Sequence, residues 1–346
     1  MTEKTDKMPN SHSPPESEIR VSVVVPVYKG GESFRSCMKA MRSLEPAPEE
    51  IIVVADGGFD AGQHPEEQPG VKIIETPVRG GPAKARNIGA QAARGDIILF
   101  IDADVVVKPD IIKKVRDIFL NDPELAALIG SYDDRPGEKN FLSQYRNLLH
   151  HYVHQRANEK ASTFWGACGA VRRDIFLKLG GFDEDIRKPA MEDIEFGYRI
   201  KQGGYKIRLD KSLQVKHLKH WSALSILETD FFQRALPWTE FILKYRQFVN
   251  DLNIDISSRV SVGLVFCMPV TLILALFWPK ALALIPILVL FLLYINLDLY
   301  KFFYQKRGMV FTLKVIPWHW LYFFYSGLGF MFGYGKHTVL QFIQRR

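Results

Sequence analysis

Cysteine is scarce in this 346-residue chain: Cys37, Cys168 and Cys267 are the whole supply. Three thiols so far apart exclude a disulfide-stapled module, and they lack the spacing of zinc ligands. A strong excess of one charge is missing too, since 45 Lys and Arg face 38 Asp and Glu, leaving +7. The basic residues are scattered, so nucleic acid is not expected as a partner. Residues 1–18 contain no apolar run that could form the core of a signal peptide. Their Glu, Lys, Pro and Ser content predicts a disordered cytosolic tail.

From Ile19 the pattern changes. Val21–Val27, Ile51–Ala55, Val71–Glu75 and Ile97–Ile101 are β-branched-rich runs of strand length, separated by segments of helix or loop composition. The fold class predicted for 19–222 is α/β, with a doubly wound, mostly parallel sheet covered on both faces. In such a sheet ligands sit beyond the carboxyl ends of the strands, so the residues just after each run are where chemistry is sought.

The mean hydropathy of −0.05 averages two dissimilar parts. Val260–Trp278 and Ala281–Leu297 carry no charged residue and approach the roughly 20 residues that cross a bilayer core. A soluble core helix would normally show a polar face, so residues 257–346 are expected to form an α-helical membrane region with two or three spans and a basic tail. The third run, Val315–Tyr334, holds Pro317, His319 and many aromatics, and spanning, re-entrant and interfacial courses all suit it. A loop with Lys301, Lys306 and Arg307, together with Arg259 and the tail Lys336, Arg345 and Arg346, puts positive charge on one side. That asymmetry predicts a multi-pass protein of the cell membrane whose catalytic domain is cytosolic. Residues 223–256 mix Phe231, Phe232, Trp238, Phe241, Tyr245 and Phe248 with Arg234, Lys244 and Arg246. Helices at headgroup level and an ordinary packed pair interrupted at Pro237 both fit this composition.

The strongest local signal is Asp102-Ala103-Asp104, which ends a fully apolar run. Two carboxylates at i and i+2 of an extended chain face the same side, and their repulsion is relieved by a divalent cation such as Mn or Mg carrying a diphosphate. Asp56-Gly57-Gly58 ends the second run with a carboxylate on a tight turn, suited to a base edge. Arg79 to Asn87 supplies glycines and cations leading into a helix, suited to a nucleotide. Met191-Glu192-Asp193-Ile194-Glu195 opens a helix that ends near Gly203-Gly204.

Together these motifs resemble the family 2 glycosyltransferases, inverting enzymes of the GT-A fold, over about Val21 to Lys219. The resemblance implies that Pro26, Tyr28 and Asp56 line a nucleoside pocket, with Arg86 a further nucleotide contact. It also implies that Asp102 touches ribose or metal, that Asp104 binds the metal, and that His217 is a candidate metal ligand. Phe164 to Arg173 is similar to the family's small-residue segment, where Gly166 and Gly169 let backbone approach the donor sugar, with Trp165 and Arg173 nearby. Asp193 becomes the general base, placed opposite the leaving diphosphate, and Glu192 orients it or touches an acceptor hydroxyl. Gln233 to Trp238 departs from the Gln-x-x-Arg-Trp element of processive synthases, which favours transfer of one sugar.

The predicted function is therefore a membrane-anchored, cation-dependent transferase. It moves one sugar from a nucleotide diphosphate sugar to a lipid-linked or saccharide acceptor at the bilayer, or, as a variant, to a polyprenyl phosphate. A non-catalytic sugar-nucleotide sensor or scaffold is the alternative, and acids retained at 102, 104 and 193 weigh against it.

Overall fold

Val21–Lys29 (β1), Glu50–Phe59 (β2), Val71–Thr76 (β3) and Ile97–Ile101 (β4) are strands in the computed structural model, which describes residues 19–64, 69–186, 191–245 and 256–344. Four more strands complete the sheet: Val105–Val106 (β5), Leu125–Tyr132 (β6), Cys168–Arg172 (β7) and Lys206–His217 (β8). Their spatial order is β3-β2-β1-β4-β7-β6-β8-β5. The first four pair in parallel, whereas β7 enters antiparallel between β4 and β6, so the sheet is mixed. All five β4 side chains are buried, as an interior strand with both faces covered requires.

Alternation along β1 divides the core. Val23 and Val25 face the helices Glu32–Met41 (α1) and Ile111–Asn121 (α3), while Val24 faces Pro82–Ala92 (α2), Arg173–Lys178 (α5) and Glu192–Gln202 (α6). Close approach is bought with missing side chains. A Cβ on Gly89 of α2 would come within 2.4 Å of Val24, and one on Gly197 of α6 within 2.1 Å of the Phe164 backbone nitrogen. Phe100, Phe164, Phe176, Phe182 and Phe196 interlock beneath α6, with ring centroids 4.9 Å apart for the Phe182–Phe196 pair. This cluster fixes the start of α6 above the tip of β4.

The helix Phe141–Arg156 (α4) links the sheet to the C-terminal helices. Ala223–Glu228 (α7) runs directly into a π-helical segment, Thr229–Ala235, and then into Leu236–Tyr245 (α8). Pro237 does not interrupt this helix as the composition suggested. It falls in the first turn of α8, just after the π segment, where the wider turn accommodates the missing N–H. Among the described residues, the helices that follow are Ile256–Ala275 (α9), Leu284–Ile295 (α10) after a short 3-10 turn, Leu297–Arg307 (α11) and Met309–Gln344 (α12).

Among the described residues α9 alone is long and apolar enough to cross a membrane, and only 17% of its apolar window is buried, unlike a core helix. The second expected span is not one straight helix. The stretch Pro279–Ile295 meets α11 at a 65° bend, and the two make a second crossing only if the pair counts as one span. The third run lies inside α12, whose Trp, Tyr, His and Lys residues keep it from qualifying. Lys301, Lys306 and Arg307, expected in a loop, sit on α11, and the latter two touch the sheet domain: Lys306 pairs with Asp134 at 2.7 Å and Arg307 donates to Gln144 at 2.8 Å. Apolar residues continue that contact, with Tyr145, Leu148 and Leu149 of α4 packed on Leu299, Tyr300 and Phe303. The predicted tail 1–18, Arg246, Phe248, Arg345 and Arg346 lie outside the described residues.

Because the Gly197 contact is with backbone, Gly197→Ala is expected to destabilise by about 2 kcal/mol or more. Gly263→Ala on α9, where a Cβ meets nothing within 4 Å, should be neutral or mildly stabilising. Thermal unfolding of the two variants side by side checks the pair.

Candidate active site

The tip of β4 is a turn, not an extended segment. The Val105 N–H donates to the Asp102 carbonyl at 3.1 Å, and β5 then runs back along β8. Asp102 and Asp104 therefore diverge instead of sharing one face. Val105 registers with His217, which brings Asp104 Oδ2 to 3.5 Å from His217 Nε2. Burial alone would raise the Asp104 carboxyl, but His217 and the nearby Lys219 hold it below its ordinary value.

Asp102 turns the other way, toward Arg86 of α2. That guanidinium is buried and forked, with Nη2 donating to Asp102 Oδ1 at 2.6 Å and Nη1 to Glu192 Oε1 at 2.8 Å. A fixed planar fork suits two carboxylates from different elements, which the point charge of a lysine cannot match. Arg86, expected to contact the nucleotide, lines the site cavity, and both of its terminal nitrogens hold acids of the protein. Next to Glu192, Asp193 accepts the Gly166 N–H at 3.2 Å. Burial and the neighbouring Glu192 carboxylate, opposed by Arg86, push the Asp193 carboxyl up to about 7. A carboxylate poised there is suited to accepting a proton near neutral pH.

These groups open onto one cavity of about 170 Å³, lined by Asp102, Asp104, Trp165, Asp193 and His217. Its far wall comes from residues the sequence did not assign to the site: Arg146 and His150 of α4, Gln233 and Arg234 of the π segment, and Tyr322 of α12. Burial, with His154 and His217 alongside, pushes the His150 imidazole well below its ordinary value. Trp165 packs against Tyr132 and His150 with centroids 4.8 and 5.0 Å away, and Tyr132 stacks flat on His217 at 4.1 Å. Lys219 and Trp221, which follow the His217 motif, also line the cavity. The charged residues of α4 and the π segment gave no motif of their own. The one available signal was the partial likeness of Gln233 to Trp238 to a Gln-x-x-Arg-Trp element, from which it departs.

The other predicted residues are distributed unevenly. Pro26 and Tyr28 lie toward the end of β1 and Asp56 in β2, outside the cavity lining. Tyr28 is half-exposed with the Arg79 guanidinium 4.0 Å over its ring. Asp56 is buried, and both its oxygens accept backbone N–H groups, from Gly80 at 2.6 Å and Gly81 at 2.8 Å. It braces the glycine loop and does not stand open on a turn.

Gly166 and Gly169 also serve the protein itself. A Cβ on Gly166 would come within 2.9 Å of the Arg86 guanidinium, and one on Gly169 within 2.4 Å of the Trp165 carbonyl. Arg173 does not join the site. The antiparallel register pairs Ile101 with Cys168 but Ile97 with Arg172, which sends Arg173 to the opposite end of β4, where its N–H donates to Asp96. As for a divalent cation, no three His, Cys, Asp or Glu side chains converge among the described residues. Asp104 and His217 are close enough to occupy adjacent positions around one ion, with the other positions left to water or to phosphate oxygens.

Comparison with known proteins bears on this arrangement. Residues 22–180 match the family described as Glycosyl transferase family 2. A Bacillus subtilis (strain 168) protein named "Probable glycosyltransferase YdaM" is 29% identical over 205 residues, which are 55% of this chain and 48% of that protein. A Haloferax volcanii glucosyl-dolichyl phosphate glucuronosyltransferase is 24% identical over 222 residues, 58% of this chain and 69% of its own. The chain thus spans about half the length of the first of these relatives. Among solved structures, a mannosyltransferase from Pyrobaculum calidifontis in complex with GDP-Man and Mn2+ superposes with a TM-score of 0.56 at 19% identity, covering 94% of this chain and 91% of its own. That likeness establishes the GT-A-type fold.

Removing Arg86 leaves Asp102 and Glu192 facing each other across a buried space. Arg86→Met is expected to cost about 3–5 kcal/mol, read as a fall in Tm of roughly 5–10 °C. Arg86→Lys should recover only part of it, since one ammonium replaces a two-pronged fork. Differential scanning calorimetry of both variants measures this.

Proposed function

We propose that the family 2 glycosyltransferase domain carried by this chain transfers a single sugar, with inversion, from a nucleotide diphosphate sugar to an acceptor held at a membrane. The observation that carries this reading is the single cavity onto which the carboxylates at the tip of β4 and the raised carboxyl of Asp193 both open. A pure binder has no use for a base of that strength beside its ligand.

In this reading the nucleoside lies over Tyr28 and the Asp56-braced glycine loop, at the carboxyl ends of β1 and β2. Asp104 and His217 would hold a divalent cation, Mn or Mg, which when bound supplies positive charge to the departing diphosphate. Asp193 faces the anomeric carbon from the other side. It takes the proton of the acceptor hydroxyl as the new oxygen–carbon bond forms and the bond from that carbon to the diphosphate oxygen breaks, releasing the nucleoside diphosphate. Glu192, held by Arg86, fixes the turn from which Asp193 projects.

Membrane attachment is part of the proposal. The exposed apolar surface of α9 and the bent pair α10–α11 support it, and the contacts of Lys306 and Arg307 with the sheet domain fit a basic, cytosolic side. Since Tyr322 of α12 walls the cavity, an acceptor arriving from the bilayer needs no long passage through water. The Haloferax relative, whose name gives a glucosyl-dolichyl phosphate as its acceptor, supports a lipid-linked sugar here.

Nucleoside diphosphate release by the purified full chain, tested with UDP- and GDP-sugars, Mn2+ and membrane lipid extract, checks this reading. Asp193→Asn is expected to lower kcat by about 10²–10⁴ while the donor still raises the melting temperature. In the native protein kcat/KM should rise with pH through about 7, because the proton-accepting form accumulates above the carboxyl's own value. A variant that keeps native turnover, or a rate that is flat across that range, removes Asp193 from the role.

A further inference from the structure

The cavity wall opposite Asp102 and Asp104 carries a second charged assembly, built on Asp230. This carboxylate is 3% exposed and receives three donors from three elements: Arg146 of α4 through Nη2, Arg234 of the π segment through Nη1 at 3.2 Å, and the Tyr325 hydroxyl of α12 at 2.6 Å. Among the described residues the ion pairs of both arginines run to this one acid. Two guanidinium groups on one carboxylate leave a net positive charge, and both side chains line the cavity. Arg146 is 13% exposed and Arg234 42%, so the pair presents donors to the cavity from a largely buried base. Such an arrangement is complementary to a phosphate oxyanion, whose geometry the guanidinium fork matches.

Its position says which phosphate. Tyr28 and Asp56 stand on β1 and β2, on one side of β4, whereas α4 hangs from the far side. His151 and His154 there contact the carbonyls of Tyr132 and Gly130, at the end of β6. The Arg146–Arg234 wall is thus on the side of β4 away from the nucleoside end, next to α12.

We infer that Arg146 and Arg234, aimed by Asp230, form a subsite for a phosphate carried by the acceptor. The acceptor then offers two features: a sugar hydroxyl for Asp193 and, next to it, the phosphate that joins that sugar to a lipid. The class named is a glycosyl phospholipid of the polyprenyl type, in contrast to a neutral glycolipid or a bare lipid phosphate with no hydroxyl to deprotonate. This rests on the transferase reading above. Asp230, which touches no substrate, is a positioning residue.

Phosphatidylcholine vesicles containing either glucosyl-polyprenyl phosphate or glucosyl-diacylglycerol provide the test, with the donors of the UDP- and GDP-sugar panel. The native protein should use the phosphate-bearing acceptor at least about tenfold better in kcat/KM. Arg234→Gln should raise KM for that acceptor about tenfold or more, leave donor affinity by thermal shift unchanged, and abolish the preference, with Arg234→Lys restoring part of it. Asp230→Asn should act in the same direction on KM. If Arg234→Gln instead weakens donor binding and spares the acceptor KM, the arginines serve the donor diphosphate and the inference fails. Equal use of the two acceptors by the native protein, which needs no variant to fold, also overturns it while leaving the transferase reading intact. Absence of turnover with every donor and acceptor strikes that reading itself.

Discussion

One guanidinium holds the two halves of this site in register. Arg86 reaches Asp102, at the tip of the central strand, with one nitrogen and Glu192, at the start of α6, with another. The two acids are far apart in the chain, and nothing in the backbone ladder links them. Their separation is set by the width of a planar fork, and Gly166, which has no Cβ to crowd that fork, completes the fit. Since Asp193 is the residue after Glu192, the distance between the tip of β4 and the Asp193 carboxyl follows from this bridge. The aromatic block under α6 then keeps the bridge from tilting.

The C-terminal helices belong to the site as much as the sheet does. α12 lies against the π segment and α8 through Gly329 and Gly333, where a Cβ would fall within 2.5 Å of Ala235 and 2.8 Å of Thr239. This is close packing through small residues, familiar where helices associate in lipid. It carries Tyr322 to the cavity and Tyr325 to Asp230. Movement of α12 would therefore reach the wall of the cavity through side chains already in contact.

The parallel half of the sheet was legible because β-branched runs such as Val21–Val27 and Ile51–Ala55 have few other uses. The strand β6 is not, since its Ala-Ala-Leu-Ile-Gly core reads equally as helix, and in β8 the buried Ile207, Leu209, Leu213 and Val215 are too interspersed with charged and polar residues to form an apolar run. Of the residues that line the cavity, Asp102, Asp104 and Asp193 stand out in the sequence by motif and position. Their directions do not: a turn hydrogen bond, invisible in the letters, swings Asp102 to Arg86 and Asp104 to His217. Arg173 falls away from the site because its strand is antiparallel, which a run of small residues does not reveal. Arg146 gains meaning only through Asp230, a long-range contact that no local pattern encodes, whereas Arg234 meets the same acid across one helical turn, a spacing too common to mark a site.

The π segment Thr229–Ala235 has a lasting effect on everything beyond it. Holding an extra residue in its turn, it rephases the helix, so that Asp230 faces α4 and α12 while Thr239 further along still meets Gly333. Loss of a single residue there would leave a perfectly good α-helix whose two halves no longer point at their partners. For anyone building chimaeras from related proteins, the count of residues across this stretch is accordingly a constraint to be kept alongside the identities of Asp230 and Arg234.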